Sequence, residues 1–437
     1  MHKPSFREAF LFWLKLGFIS FGGPAGQIAI MHEFLVEKKK WISESKYLHA
    51  LNYCMLLPGP EAQQLATYTG WMLHGVWGGI VAGLFFILPS VFILLGLSIL
   101  YVTFGSMPAI AAILVLLKPT VAAIVIGALI KISKKSLTQQ KFIIIAIASF
   151  IAIFFFKIYF PIIILTAVII GFVFEKYFSH LQTSPTKETA NDSESEYFIN
   201  KNTIIEGTGF SKSRLLKQVS TFLILFSIPV VLLYSTNSDF VFWRLLISFF
   251  SKAAFVTFGG AYAVLPYVTQ YSVENLQWLS HAQMMDGLAL GETTPGPLIM
   301  VLAFVGFIAG YNHFGNSLLY GTVGLLTTTF YTFLPSFFFI LVGAPMIERT
   351  HQNKLLKSVL NYVTAAVVGV LANLCVILFL ASVLKNYNDF SFQSLNLINA
   401  GWLVISIVAL QKFKVNMIAW IGITSLAGLA IHLFNII

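Results

Sequence analysis

The stretch SFGGPAGQIA, residues 20–29, interrupts an apolar run at a point where a membrane helix would otherwise continue. A closely similar stretch, TFGGAYAVLP, occupies residues 257–266 in an equally apolar setting. Glycine tolerates the left-handed and strained backbone angles that side chains exclude, and proline fits the first turn of a following helix. Both stretches therefore predict a turn that is followed by a new helix.

The two stretches belong to a longer internal repeat. Phe21-Gly22-Gly23 recurs as Phe258-Gly259-Gly260, and the shift from position 21 to position 258 also relates Pro58-Gly59-Pro60 to Pro295-Gly296-Pro297. The same shift relates Trp41 to Trp278. Beyond the prolines the register of the repeat drifts, and ILPS at 87–90 corresponds to FLPS at 333–336. So many uncommon residues at one separation indicate a duplicated unit of roughly 180 to 200 residues.

Composition assigns the chain to the membrane. It has 437 residues, of which 57% are hydrophobic and 10% are charged, whereas soluble domains carry about 25% charged residues. Apolar runs at 79–104 and 108–130 are long enough to cross a hydrocarbon core of about 30 Å. We therefore expect an all-α polytopic membrane protein.

Several other classes of function lack support in the sequence. The two cysteines, Cys54 and Cys375, lie in apolar segments and indicate neither a disulfide framework nor a metal site. The positive-inside rule explains the net charge of +10 without any nucleic-acid partner. No phosphate-binding loop or zinc-binding helix pattern is present. We therefore expect no enzyme activity, no metal and no cofactor.

The distribution of lysines predicts the topology. The loop EKKKW at 37–41 is basic and is expected in the cytoplasm, together with the N-terminus, whereas GSMP at 105–108 is uncharged and is expected outside. In the second unit the pattern reverses: ENLQW at 274–278 has no lysine, and residues 348–357 are basic. Equivalent loops on opposite sides are typical of an inverted repeat, which would put the C-terminus outside.

The predicted fold consists of two homologous halves of inverted topology. Each half contains two re-entrant helical hairpins, which turn at the FGG and PGP motifs, and about four transmembrane helices. The expected boundaries are 1–178 for the first repeat, 179–213 for a polar cytoplasmic linker, 214–238 for a connecting transmembrane helix and 239–437 for the second repeat. A kinked but continuous helix at each motif is the alternative.

The turns predict an anion site. A helix that begins inside the membrane directs free N–H groups and the positive end of its dipole into the site, and two inverted halves would bring such ends together. Lys15 and Lys252 add one charge from each half, although snorkelling to the interface is the alternative for both. The residues predicted to bind substrate are Lys15, Ser20, Phe21, Gly22, Gly23, Pro58, Gly59, Pro60, Gln63, Gln64, Lys252, Thr257, Phe258, Gly259, Gly260, Thr293, Thr294, Pro295, Gly296 and Pro297.

Three acidic residues within apolar segments are candidates for carrying protons: Glu292, Asp286 and Glu61. Glu292 precedes the second PGP motif and has no acidic counterpart in the first half, where Met55 occupies the equivalent position. Glu61 follows Pro60, where a carboxylate would also stabilise a helix N-terminus.

The motifs SFGGPAGQIA, LLPGPEAQQLATYTGW and FILPS resemble those of the chromate ion transporter family in its long, two-domain form. The resemblance covers nearly the whole chain except the linker. It implies an inner-membrane protein that exports chromate with the help of the proton gradient and confers chromate resistance. Chromate, protons and the bilayer would be its partners, and the sequence leaves a homodimer open.

Membrane electrostatics favours export. Moving a dianion through the membrane potential is worth roughly 4.6 kcal/mol per 100 mV, in favour of exit from a cell that is negative inside. Chromate and sulfate are both tetrahedral dianions, so a carrier of sulfate or of another oxyanion is the main rival hypothesis. A passive anion channel and a membrane-embedded enzyme are less favoured hypotheses from different classes of function.

Overall fold

The computed structural model describes residues 3–21, 23–105, 107–178, 196–200, 203, 205, 209, 211–236, 239–258, 260–347, 354–384 and 394–434. Gly22, Gly259 and residues 179–195 of the predicted linker lie outside these ranges. Among the described residues the structure is helical, and extended pairing is limited to two isolated bridges, Ile42 with Ile199 and Leu384 with Leu395.

The described part of the chain contains sixteen α-helices. The first half has α1 Phe6–Ile19, α2 Gly23–His32, α3 Glu44–Cys54, α4 Glu61–Phe104, α5 Pro108–Ser136, α6 Gln140–Phe154 and α7 Phe160–Phe178. The connecting helix is α8 Lys212–Thr236. The second half has α9 Phe240–Val256, α10 Ala261–Thr269, α11 His281–Thr293, α12 Val301–His313, α13 Leu318–Ile347, α14 Lys354–Val383, α15 Leu397–Ile407 and α16 Met417–Leu433.

Five of these helices are long and apolar enough to cross a membrane: α4, α5, α8, α13 and α14. Shorter apolar helices, among them α6, α15 and α16, accompany them. The prediction of an all-α, multi-pass membrane protein is therefore confirmed.

Local structure recurs at the shift seen in the sequence. A short π-helix follows α2 at Glu33–Lys38, and its equivalent follows α10 at Gln270–Asn275. Lys40 and Gln277, which are related by the same shift, share a left-handed backbone with φ of 51°. Because side chains rarely adopt this conformation, its recurrence indicates that the two segments fold in the same way.

Helix α4 consists of two limbs that fold back on each other. Its backbone leaves helical geometry at His74 and at Gly75, where φ is 65°. Gly70 in the first limb lies against the backbone of Gly78 in the second, so closely that a Cβ on Gly70 would stand 2.5 Å from the Gly78 carbonyl oxygen. In the second half α12 and α13 form the same tight pair, with Gly306 against Gly324. Small residues thus allow two helix backbones to pack directly.

The outer helices are exchanged between the halves. Helix α5 of the first half packs against α15 and α16 of the second, whereas α14 of the second packs against α6 and α7 of the first. Thr120 of α5 anchors one of these contacts: its hydroxyl accepts from Trp402 Nε1 at 3.0 Å and lies 3.1 Å from the Thr424 hydroxyl. The two halves therefore form one intertwined body.

The start of α1, the loop after the first π-helix and the kink of α4 lie together at one end of the molecule. His74, at the kink of α4, lies with its Nε2 atom 2.9 Å from the carbonyl oxygen of Pro4, just before α1. Lys39, after α2 and its π-helix, forms a 2.8 Å ion pair with Glu8 near the start of α1. Part of the predicted linker is found here as well, because the amide of Ile199 donates to the Trp41 carbonyl at 2.9 Å.

The second half repeats this arrangement. Asp239, which caps α9, lies with its carboxylate 2.6 Å from Nε2 of His313 at the end of α12. Asn312 donates to the carbonyl of Trp278, which follows α10 and its π-helix, at 2.9 Å. The start of α9, the end of α12 and the loop at Trp278 therefore meet at a common end.

Candidate functional site

The FGG and PGP turns of opposite halves are hydrogen-bonded to each other. The amide of Gly59 donates to the Thr257 carbonyl at 2.7 Å, and the amide of Gly296 donates to the Ser20 carbonyl, also at 2.7 Å. Each of the two bonds is the counterpart of the other, since Gly59 is equivalent to Gly296 and Ser20 to Thr257 in the repeat. We call these four residues the turn crossing.

The local sequence explains the shape of each turn. Helix α1 ends at Ile19 and α9 ends at Val256. A tight turn follows each helix: the amide of Phe21 donates to the Ile19 carbonyl at 2.9 Å, and the amide of Phe258 donates to the Val256 carbonyl at 3.1 Å. Ser20 and Thr257, which directly follow the last helical residues, donate their hydroxyls to carbonyls of their own helices, at 2.6 and 2.5 Å. Their backbone carbonyls remain free to accept from the opposite half.

Gly59 and Gly296 are required by both conformation and space. Their φ angles are 126° and 98°, in the region that favours glycine. A Cβ on Gly296 would collide with the hydroxyl of Ser90, and a Cβ on Gly59 with that of Ser336. These serines end the ILPS and FLPS motifs, and each lies against the glycine of the opposite half. Ser90 also donates to the Pro295 carbonyl.

Gln27 donates hydrogen bonds to both halves at the crossing. The sequence pointed to the motif that contains Gln27 but did not predict Gln27 itself as a binding residue. Its side-chain amide donates to the Gly296 carbonyl at 2.6 Å and to the Ser20 carbonyl at 3.1 Å. Gln64 donates to the Pro58 carbonyl at 2.7 Å, and Gln63 donates to Thr67 at 3.0 Å. The side-chain oxygens of all three glutamines are buried and have no hydrogen-bond partner among the described residues.

Helices begin at the turns without side-chain caps. The residues before α4, α10 and the short 3₁₀ turn Leu298–Met300 are Pro60, Gly260 and Pro297, and none of them makes a side-chain hydrogen bond to the first turn. Uncapped helix N-termini leave backbone N–H donors and a partial positive charge available to an anion.

Two of the predicted carboxylates lie close to the turns. Oε1 of Glu61, at the start of α4, would stand 3.8 Å from a Cβ on Gly260 in the opposite half. Glu292 is buried at the end of α11 and accepts a 3.0 Å hydrogen bond from the Tyr262 hydroxyl in α10. Thr293 and Thr294, by contrast, use their hydroxyls on carbonyls of α11, at 2.7 and 2.9 Å.

The third carboxylate, Asp286, lies elsewhere. Its Oδ2 atom accepts a 2.9 Å hydrogen bond from Tyr101 near the end of α4, and its Oδ1 atom lies 3.5 Å from Nζ of Lys118 in α5. Lys118 was not identified from the sequence. The signal that could have found it is a charged residue in the middle of the apolar run 108–130.

The structure does not bring Lys15 and Lys252 into contact with the crossing. Both side chains are exposed on the outer faces of α1 and α9, where their neighbours one turn away, Phe18 and Phe255, are exposed as well.

The glycines of the FGG motifs are described only in part. Gly22 and Gly259 lie outside the described residues. Gly23 and Gly260 have the positive φ angles expected of such turns, 70° and 91°.

Comparison with known proteins gives matches along most of the chain. A family model described as "Chromate transporter" matches residues 7–172 and 243–429. An uncharacterized transporter of Methanocaldococcus jannaschii is 28% identical over 85% of this chain and 83% of its own length. A probable chromate transport protein of Synechococcus elongatus is 27% identical, covering 86% and 84% of the two chains. A chromate transport protein of Pseudomonas aeruginosa is 28% identical, covering 84% and 79%. No solved structure matches.

Proposed function

Because the chain belongs to the chromate transporter family, we propose that it carries chromate across the membrane and that the anion binds at the turn crossing. The observation that carries this proposal is the reciprocal pair of hydrogen bonds, Gly59 to Thr257 and Gly296 to Ser20. They bring helix N-termini from both halves together inside an apolar body, and such ends bind oxyanions.

Anion binding at the crossing requires donors that the protein does not already use. The uncapped first turns of α4, of α10 and of the 3₁₀ turn before α12 supply backbone N–H groups. The unpaired oxygens of Gln27, Gln63 and Gln64 need donors in return. Water that accompanies the anion, or the hydroxyl of a singly protonated oxyanion, would satisfy them.

We further propose that the halves have inverted topology. The second limb of α4, residues 76–104, is about 43 Å long at about 1.5 Å per residue. Its start at His74 lies beside Pro4 at the end that holds the Trp41 loop. Its far end at Gly105 and the side chain of Asn312 line one cavity. Asn312 in turn bonds the equivalent loop at Trp278. Equivalent loops at opposite ends of so long a helix support an inverted repeat.

The same contacts support re-entrant hairpins. In the first half, the start of α1 meets both Lys39, after the FGG hairpin, and His74, after the PGP hairpin. A chain that returns twice to its starting end has turned inside the body both times. We therefore retain the proposed boundaries of 1–178 and 239–437 for the two repeats, with α8 as the connecting helix that inverts the second copy.

Export driven by the membrane potential and coupled to protons is the proposed mode of transport. The potential alone favours exit of a dianion by roughly 4.6 kcal/mol per 100 mV. Glu61 and Glu292 are the proposed proton carriers near the crossing, because the first faces Gly260 and the second is held by Tyr262. Lys15 and Lys252 are proposed to attract the anion from the outer faces of α1 and α9.

Flux measurements in liposomes test this function. We expect purified protein to move chromate in response to an imposed potential and to a pH gradient, with sulfate as competitor. Flux of sulfate but not of chromate would identify sulfate as the substrate in place of chromate. Chemical conversion of the anion would indicate an enzyme. Absence of flux of either anion by correctly folded protein would contradict the proposal.

A further inference from the structure

A second polar site lies at the contact between the two halves, away from the turn crossing. It is a cavity of about 420 Å³, within the range of about 300 to 1,000 Å³ that is usual for small-molecule pockets. We call it the Lys118 cavity. Its polar lining comes from Tyr101, Lys118, Gln283, Asp286, Tyr311 and Asn312.

Two opposite charges, those of Lys118 and Asp286, lie side by side in this cavity, and a ligand could separate them. Lys118 comes from α5 of the first half and Asp286 from α11 of the second, with 3.5 Å between Nζ and Oδ1. That separation is long for a charge-assisted hydrogen bond, which is typically about 2.7 to 2.9 Å. Accordingly, Oδ1 of Asp286 is buried and has no hydrogen-bond partner in the described part of the chain. The ammonium group is thus only partly satisfied by its carboxylate.

We propose that the Lys118 cavity is a second oxyanion site, in which a tetrahedral oxyanion replaces the Asp286 carboxylate as the counter-ion of Lys118 while Asp286 takes up a proton. The proton comes from the aqueous phase, where an O–H bond of a hydronium ion breaks as the new O–H bond forms on Asp286. Lys118 keeps its proton, and the anion restores the negative charge beside it. Gln283 supplies amide donors to the remaining oxygens, and Asn312, one of whose amide hydrogens bonds the Trp278 carbonyl, supplies its second. The inference rests on the proposed function in its choice of anion.

The position of the cavity suits an entrance to the crossing. Tyr101 lies eleven residues after Ser90 in α4, or about 16 Å along the helix, and Ser90 contacts the Pro295 carbonyl at the crossing. Asp286 and the second PGP motif are joined by the last turns of α11. The same two helices, α4 and α11, therefore connect the Lys118 cavity to the crossing.

The proposal predicts that anion binding and proton binding are linked. Among the described residues that line the cavity, the titratable groups are Tyr101 of α4, Lys118 of α5, Tyr311 of α12 and Asp286 itself. Protonation of Asp286 removes the charge that competes with the anion, so binding strengthens as pH falls. A neutral side chain at position 286 should hold the site in its tight state at any pH.

Equilibrium binding of radiolabelled chromate and sulfate to the purified full-length protein tests this inference, at mildly acidic and mildly alkaline pH. We expect wild-type binding at this site to weaken at alkaline pH and D286N to bind equally well at both. K118Q should weaken binding at the site about tenfold, the usual scale for losing a charged hydrogen-bond partner, whereas K118R should retain it. K131Q, which alters an exposed lysine of the same helix, is the matched control.

The outcomes are separable from those of the proposed function. Binding by K118Q that equals binding by K131Q, or an unchanged pH dependence in D286N, would overturn the second site even if the wild type transports chromate. Conversely, pH-linked sulfate binding that requires Lys118 would sustain the site even if no chromate flux is found. Thermal unfolding of each variant identifies any that fail to fold. If K118Q fails to fold, the binding of K118R and the pH dependence of D286N still test the site.

Discussion

The amide of Gly296 lies 2.7 Å from the carbonyl oxygen of Ser20, although the two residues stand in different halves of the chain. The counterpart bond, from Gly59 to Thr257, has the same length. Each PGP turn is thus completed by the FGG turn of the other half. A single half would leave both groups unpaired inside an apolar body, which is costly. The crossing therefore requires the two halves to be packed against each other.

The glycines of the crossing should not tolerate a side chain. We expect Gly296→Ala and Gly59→Ala to lower the free energy of unfolding by about 1 to 3 kcal/mol or more, because φ is positive and the added Cβ meets a serine hydroxyl. Gly96→Ala in α4 is the matched control, since a Cβ there meets nothing. Thermal unfolding in detergent provides the measurement, and equal stability of G296A and G96A would refute the prediction.

The contact between Ser90 and Gly296 can be tested by a double-mutant cycle. Ser90→Ala removes the hydroxyl that a Cβ at position 296 would meet, so it should recover part of the stability lost in Gly296→Ala. The positive φ remains in the double variant, and recovery should therefore be incomplete. Strictly additive losses would show that the two positions are independent.

Gln27 should matter more than its lack of charge suggests. Its amide donates to two carbonyls from opposite halves, those of Ser20 and Gly296. Gln27→Ala would remove this donor from the buried Gly296 carbonyl and leave the Ser20 carbonyl with the Gly296 amide alone, at a cost of about 1 to 3 kcal/mol. Gln139→Ala, at an exposed position that makes no capping hydrogen bond, is the control. The two variants can be compared by thermal unfolding, and indistinguishable melting temperatures would count against a bridging role.

Much of this arrangement could be predicted from the sequence. The repeat, the membrane class and the turns at glycine and proline follow from local pattern, and the structure contains matching turns with positive φ at Gly23, Gly59, Gly260 and Gly296. The exchange between halves could not be predicted, because a hydrogen bond such as Gly296 to Ser20 depends on how the halves pack.

Two site residues were missed for reasons that the repeat explains. Gln27 has no amide counterpart in the second half, where Val264 stands at the equivalent position. Lys118 lies beyond the PGP motif, where the register of the repeat drifts and the shift from position 21 to position 258 no longer pairs equivalent positions. A search for matched residues therefore passes over both, and their contacts in the folded chain bring them out.

Cysteine accessibility tests the proposed inversion. Lys38 and Asn275 end the two equivalent π-helices and are both exposed, whereas the native Cys54 and Cys375 are buried. We expect a membrane-impermeant maleimide to label K38C from the cytoplasmic side and N275C from the outside of oriented vesicles. Labelling of both from one side would rule out inverted halves.

The pair of Asp239 and His313 predicts a dependence of stability on pH. Hydrogen bonds from His313 and from the Phe242 amide hold the pKa of Asp239 below its ordinary value of 3.8. A lowered carboxylate pKa stabilises the fold above the ordinary value, and this stabilisation is lost as pH falls through the lowered pKa. Asp239→Asn keeps a capping side chain but not the charge. Its melting temperature should lie below that of the wild type at neutral pH and converge with it in acid, and a gap that persists in acid would contradict this assignment.

Chromate flux through the turn crossing tests the central claim most directly. Liposomes that contain wild-type protein, G296A or G96A would be loaded with chromate and given an imposed potential, with the amount of folded protein matched between samples. We predict rapid flux for the wild type and G96A, loss of flux for G296A, and reduced flux for Lys15→Ala and Lys252→Ala. Wild-type flux in folded G296A would contradict the assignment of the anion site to the turn crossing.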